Sequence, residues 1–293
     1  LYTNATYVQS FGKSKIYLGL SQSFNEDDLQ LSGIAASRGD SRTQGRAVWS
    51  YSVNSDVTVH TGSELHTYEF RNNFGQFRDS FRDVYWANFV ETDAYFTRRL
   101  VGRLGVRNEY SRVINRWNVA PRASLAYKTG DYSQVSLAYG WFYQNPGNLY
   151  LFTNRNLGFE RAEHFILNYQ IIKNERTLRI EGYRKSYTQL VREHLTEPFD
   201  ANPFRFPYGR TDNSGYGHAQ GVDLFWRDKK TFKDAEYWVS YSFLDTKRLF
   251  ANYLTEAMPT FAATHTLNVL FKKYFEKINT QINTTYTFAS GRP

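Results

Sequence analysis

Segments of ten or so strand-like residues recur along the chain, separated alternately by a tight turn and a longer polar connection. The tight connections fall at residues 11–15, 54–56, 97–99, 128–132, 173–176, 228–235 and 274–277. The longer ones fall at 25–41, 71–82, 111–117, 145–160, 196–216 and 250–263. A soluble sandwich or propeller has no reason to keep this alternation. A barrel in a bilayer does, because its short turns lie on one side of the membrane and its long loops on the other. The rhythm therefore predicts an all-β, transmembrane antiparallel β-barrel of about fourteen strands in one domain, residues 1–293.

Side-chain parity supports this reading. Between Val135 and Tyr143 the odd positions are bulky and the even ones mostly small, and Phe165, Leu167, Tyr169 and Ile171 alternate with Ile166, Asn168 and Gln170. Tyr237, Val239, Tyr241 and Phe243 repeat the pattern. The period is two, that of a strand with unlike faces. Charges obey the same parity: Arg103, Arg107 and Glu109 fall opposite Leu104 and Val106, and Arg179 and Glu181 opposite Leu178 and Ile180. One Arg facing lipid near the midplane would cost roughly 2–4 kcal/mol. These five residues are accordingly expected to line the lumen.

Hydropathy alone points the other way. The mean hydropathy is −0.60, and no apolar run approaches the ~18 residues of a membrane helix. Barrel strands evade that test because polar lumen residues dilute the average. Aromatic residues make up 18 % of the chain and gather toward segment ends, as in Trp49, Tyr51, Trp86, Tyr139, Trp141, Tyr143 and Trp226, where interfacial girdles would hold them. Aromatics expected in loops, Trp117, Tyr150 and Tyr208, are instead ligand candidates, as are the loop arginines Arg155, Arg161, Arg205 and Arg210.

The net charge of +8 comes from Lys and Arg scattered through turns, loops and alternate strand positions, without a basic stripe, so nucleic acid is not an expected partner. A basic outer surface suits outer-membrane lipid and lipopolysaccharide. Cysteine is absent, which excludes disulfides, thiol catalysis and cysteine-ligated zinc.

Catalytic patterns are weak. Gly215-Tyr-Gly217-His-Ala-Gln-Gly221 lacks both the spacing and the following helix of a nucleotide loop. His60 and His66 lie about 20 Å apart along one strand, too far to share a metal ion without other strands, so Glu64 and the two histidines are read as lumen polar groups. There is no His-x-Ser pair of the phospholipase kind and no G-x-S-x-G elbow, and an omptin-like protease would need more than the single residues Asp200, Asp212 and His194. Neither enzymatic activity nor a cofactor is expected.

Several stretches, in order, carry a resemblance. They are Asn118-Val-Ala-Pro-Arg-Ala-Ser-Leu-Ala-Tyr127, Ser136 to Pro146, Thr177 to Val191, Ala219 to Leu224, and His265 to Leu270 continuing to Thr285-Tyr-Thr-Phe-Ala-Ser-Gly-Arg-Pro293. Together they resemble the barrel of TonB-dependent outer-membrane receptors over most of residues 85–293, and Tyr150 to His164 is similar to the Bacteroidetes branch. The resemblance implies a 22-stranded barrel of a Gram-negative outer membrane, of which this chain carries the middle, without the N-terminal plug, the TonB-contacting box or the last strands. It further implies import of a scarce nutrient (iron chelate, cobalamin, oligosaccharide or peptide), with the TonB system, and in some cases a surface lipoprotein or larger complex, as partners. Two other readings are a receptor-like barrel serving only as an assembly partner, and a complete fourteen-strand passive channel.

Overall fold

The computed structural model describes residues 1–31, 34–75, 77–194 and 210–292. Fourteen strands form one antiparallel meander in which each strand pairs with its neighbours in sequence. They are β1 (Tyr2–Phe11), β2 (Ser14–Leu31), β3 (Ile34–Ser52), β4 (Val57–Phe74), β5 (Phe77–Tyr95), β6 (Leu100–Ser111) and β7 (Arg116–Lys128), followed by β8 (Ser133–Gln144), β9 (Glu160–Lys173), β10 (Arg176–His194), β11 (Arg210–Asp228), β12 (Ala235–Leu249), β13 (His265–Phe275) and β14 (Thr280–Ala289). A short helix, α1 (Asn148–Thr153), interrupts the β8–β9 connection. Among the described residues no helix is long and apolar enough to cross a membrane, and β1 and β14 are the outer edges of the sheet.

The pairing register sorts the side chains into two faces. Trp49, Thr61, Val90, Val106 and Pro121 stand in one cross-strand row, on the face that also carries Leu104, 69 % exposed, and the exposed Leu18, Leu65, Val119, Leu125, Phe165, Leu167 and Val222. A continuous apolar surface across a whole sheet has no place in water, where patches beyond a few hundred Å² are uncommon. It fits the hydrocarbon of a bilayer, with the belt running from Val57 to Leu65 on β4 and from Trp86 to Ala94 on β5.

Aromatic side chains edge this belt. Trp117 packs against Tyr110 at 4.9 Å and Trp86 at 5.8 Å between ring centroids, and the Trp86 indole donates to Ser63 Oγ at 3.0 Å. Near the tight-turn side, Trp49 meets Tyr51 at 5.7 Å, and the Trp226 indole donates to the Tyr237 hydroxyl at 3.3 Å. Trp49, Tyr51, Trp86 and Trp117 turn exposed apolar surface outward while the indoles of Trp49, Trp86 and Trp226 keep hydrogen-bond partners, the requirement at a membrane interface.

The tight turns lie where the sequence places them. Asn174 and Glu175 link β9 to β10 with φ of 50° and 62°, the two positive values that a two-residue type I′ hairpin demands. Two of the expected long loops differ. Residues 25–31 and 34–41 continue β2 and β3, paired as far as Leu31 with Ile34, and 71–74 and 77–82 continue β4 and β5, paired as far as Phe74 with Phe77. With about 10 residues sufficient to cross the membrane, these 18- and 19-residue strands stand roughly 25 Å beyond the belt. Their polar composition belongs to hairpins in water, which composition alone cannot tell from loops. β11 likewise begins at Arg210, inside the expected 196–216 connection.

Candidate functional site

The inner face of the sheet, opposite the apolar belt, carries the charge. At the level of the upper girdle, Arg107 on β6 reaches across β5 to Glu64 on β4 (Nη2–Oε2 2.6 Å) and along its own strand to Glu109 (Nε–Oε1 2.6 Å). Arg46 on β3 closes on the other side of Glu64 at 3.2 Å. Glu64, Ala87 and Glu109 share one cross-strand row, and the small, fully buried Ala87 leaves the space through which the Arg107 side chain passes. Nearer the tight turns, Arg103 holds Asp93 in a two-pronged pair at 2.5 and 2.8 Å, and His60 Nε2 lies 3.3 Å from the same carboxylate while its Nδ1 meets Ser50 Oγ at 2.7 Å.

Beyond the belt, toward the long connections, the inner face becomes apolar. Phe70, Phe81, Ile114, Leu151 and Phe159 form a buried cluster. Phe70 and Phe81 pair directly across β4 and β5, and Leu151 comes from α1, so the β8–β9 connection folds inward over the sheet. Polar contacts fix it there. The Asp83 carboxylate accepts hydrogen bonds from Ser111 Oγ (2.9 Å), the Val113 amide (3.0 Å) and Asn145 Nδ2 (2.9 Å). Asn148 Nδ2 donates to the Tyr68 hydroxyl at 2.6 Å.

The far flank of the connection is tied to β10 and β11. Asn154 Nδ2 donates to Thr211 O and Oγ1, each at 3.1 Å, and the Gly158 amide donates to Asn213 Oδ1 at 2.6 Å. Glu160 accepts from the Val191 amide at 2.9 Å. The connection is thus an ordered ledge that narrows the long-loop end of the inner face. Beside it the Arg42 guanidinium lies 4.8 Å over the Tyr68 ring. Burial and the nearby Asp40 charge raise the Tyr68 phenol above its ordinary value, so it stays protonated and able to donate.

The structure separates the residues that sequence reading grouped as loop candidates. Trp117 lies in β7 and joins the outer aromatic girdle, not a loop. Arg161 lies in β9, with Nε donating to Thr188 Oγ1 at 3.0 Å and the guanidinium 4.9 Å over Trp141, also facing the girdle. Tyr150 is in α1, and Arg155 is exposed on the same connection. Arg210 opens β11, 3.5 Å from Asp212, whose carboxylate also meets His194 Nε2 at 2.9 Å. Burial works against ionisation of Asp212, but hydrogen bonds from the Ser214 hydroxyl and amide and from His194 outweigh it and hold the carboxyl well below the usual range. Arg205, Tyr208 and Asp200 lie outside the described residues.

Parity put Arg103, Arg107, Glu109, Arg179 and Glu181 on one face, and the register brings all five to the inner side. They form separate groups, since Arg179 lies 5.9 Å over Phe225 and Glu181 accepts from Asn168 at 3.1 Å, four strands from Arg107. Missed from the sequence were Asp83, Asn145, Asn148 and Leu151. For Asn145, Asn148 and Leu151 the only signal was a cluster of Asn and Pro inside an expected loop, and Asp83 lies just past the 71–82 connection with no signal of its own.

No protein-family model and no curated protein matches this sequence. Solved structures do match. The FrpB iron transporter from Neisseria meningitidis superimposes with a TM-score of 0.75 at 10 % identity, over 97 % of this chain and 49 % of that one. The siderophore receptor PirA from Acinetobacter baumannii gives 0.71 at 14 % identity over 98 % and 49 %, and the outer membrane transporter YddB from Escherichia coli 0.74 at 10 % over 99 % and 50 %. The fold is that of the wall of an outer-membrane β-barrel. The chain spans about half the length of each of these proteins. Its neighbours are transporters and receptors rather than enzymes.

Proposed function

We propose that this chain forms wall of a TonB-dependent transporter in a Gram-negative outer membrane, bringing in a scarce nutrient. The observation that carries this reading is the opposition of the two faces: an apolar, aromatic-edged belt outside, and inside a ladder of paired charges beneath an ordered ledge at the long-loop end. A purely structural wall has no need of the costly inner charges, whereas a path for polar cargo does. The names of the matched structures, an iron transporter and a siderophore receptor among them, lend support.

In this reading Tyr150, Arg155 and Arg210 at the long-loop end meet the ligand first, and Arg103, Arg107 and Glu109 border its path past a plug moved by TonB. Placement in a 22-stranded barrel and in the Bacteroidetes branch belongs to the same proposal. The test is nutrient uptake by strains lacking either the full-length gene or TonB. Loss of import of one ferric chelate, cobalamin, oligosaccharide or peptide in both strains is the expected result. Import that depends on the gene but not on TonB would leave a passive channel, and no dependence on the gene would remove transport altogether.

A further inference from the structure

One row of the inner face runs on from His60, beside the Arg103–Asp93 pair. Glu91, Gly105, Arg122, Gly140, His164 and Lys185 are successive cross-strand partners from β5 to β10. The two glycines floor a cavity of about 250 Å³ into which Glu91, Arg122, Phe142 and His164 project. A Cβ at Gly140 would stand 3.1 Å from Arg122 Cγ, and one at Gly105 2.6 Å from Glu91 Cγ, so these positions keep the floor open. Phe142 is the wedge: the Arg122 guanidinium lies 4.6 Å over its ring, and the His164 ring packs against it at 4.5 Å.

The charges here are unanswered. Among the described residues Arg122, Lys185 and Glu91 form no ion pair, and Arg122 Nε is buried with no acceptor. Arg103, which also borders the cavity, is already matched by Asp93. A guanidinium held by an aromatic face rather than by a carboxylate keeps its in-plane N–H groups for an incoming acceptor. Lys185 stands one strand beyond His164, so the β7–β10 end of the row is cationic, while Glu91 sits two strands away on the other side of Arg122.

We infer that this cavity is a binding site for a small anion bearing a carboxylate or phosphate group, with Arg122 as the principal ligand and His164 as a ring-nitrogen partner, while Lys185, outside the lining and 5.2 Å over the Tyr183 ring, adds positive charge from one strand away. Its volume lies just under the ~300–1,000 Å³ of drug-sized sites, which fits a ligand of a few heavy atoms arriving as a free solute. The inference goes beyond the transport reading, because binding at this wall requires no energised import.

The test is calorimetric titration of the detergent-solubilised full chain with inorganic phosphate and with succinate, at constant ionic strength and with chloride as control. Saturable binding of at least one is expected. Arg122→Gln is expected to weaken it by about tenfold or more, as for a lost charge-assisted hydrogen bond, and Lys185→Gln by a smaller factor, while Glu91→Gln strengthens it by removing a like charge. Should Arg122→Gln fail to fold by circular dichroism, the opposite shifts of the Lys185 and Glu91 variants decide the matter. Absence of binding by both anions, equal binding of chloride, or affinities unmoved by these substitutions would overturn the site.

Discussion

Replacing Arg107 by Gln tests whether the inner-face charges are a structural network or independent surface groups. The Arg107, Glu64 and Glu109 side chains are only 15 %, 11 % and 7 % exposed, so the two contacts at 2.6 Å are made with little water present. Breaking a buried pair from one side costs about 3–5 kcal/mol, chiefly through the charge left behind. The two carboxylates are not left equally. Glu64 keeps Arg46 at 3.2 Å, whereas Glu109 loses its only ion-pair partner among the described residues, and its second oxygen already lacks a hydrogen bond. The expected loss is therefore about 3 kcal/mol, toward the lower end of that range, and most of it resides at Glu109.

That asymmetry sets the order of rescue. In the Arg107→Gln background, Glu109→Gln should recover more stability than Glu64→Gln, because it removes the carboxylate with no remaining cation. The assay is equilibrium urea unfolding of the full chain from lipid vesicles, followed by tryptophan fluorescence and closed as a double-mutant cycle for each pair. An Arg107→Gln variant within about 0.5 kcal/mol of the parent, the range of ordinary surface substitutions, would show that water screens the network. A larger rescue by Glu64→Gln would refute the assignment of Glu109 as the dependent carboxylate.

Further outcomes follow from the same geometry. With the other five tryptophans changed to Phe, Trp117 should be quenched most strongly by lipids brominated near the headgroup, and quenching only by aqueous acrylamide would put it off the outer girdle. Leu151, buried to 1 % exposure, anchors the ledge, so Leu151→Ala should cost about 2–5 kcal/mol locally and open residues 145–159 to limited proteolysis; an unchanged digestion pattern would mean that the polar contacts alone hold it. At the tight-turn end, burial opposes ionisation of Asp228, but the Thr231 hydroxyl and amide, the Lys230 amide and Arg176 together hold its carboxyl well below 3.8. A depressed carboxylate stabilises the fold fully above its unfolded value and loses that contribution as pH falls through the folded one. Acid sensitivity below about pH 4 should thus be smaller in Asp228→Asn than in the parent, and an unchanged pH profile of stability would contradict the contacts at that turn.

The faces were legible from the sequence because a strand has an exact period of two: once Leu104 and Val106 are taken as outward, Arg103, Arg107 and Glu109 have only one side left. Strand number and the short turns were legible for a similar reason, since Asn174 and Glu175 interrupt two runs of unmistakable alternation. The extended hairpins were not. In the sequence of 25–41 and 71–82, polar residues are interspersed with a few apolar ones such as Leu29, Phe74 and Phe81 without a sustained alternation, so neither parity nor hydropathy separates strand from loop there, and hydrogen bonding across the hairpin decides it. Trp117 and Arg161 were misplaced by the same limitation, each lying within one residue of an expected loop boundary and in fact belonging to the strand.

Partnership across strands is a different kind of information. Which carboxylate Arg107 meets depends on the register of β4 against β5 and of β5 against β6, and a slip of two residues at either hairpin would preserve every face while replacing Glu64 with another side chain. Parity therefore constrains the membrane-facing surface almost completely and the inner surface only as a list of residues. This explains why the girdle could be read from spacing while the Glu64–Arg107–Glu109 network, the Asp83 junction and the Arg122 cavity could not. A hydrocarbon environment asks only that each outward side chain be apolar; a polar ligand requires particular groups at fixed separations, and those separations exist only once the strands are paired.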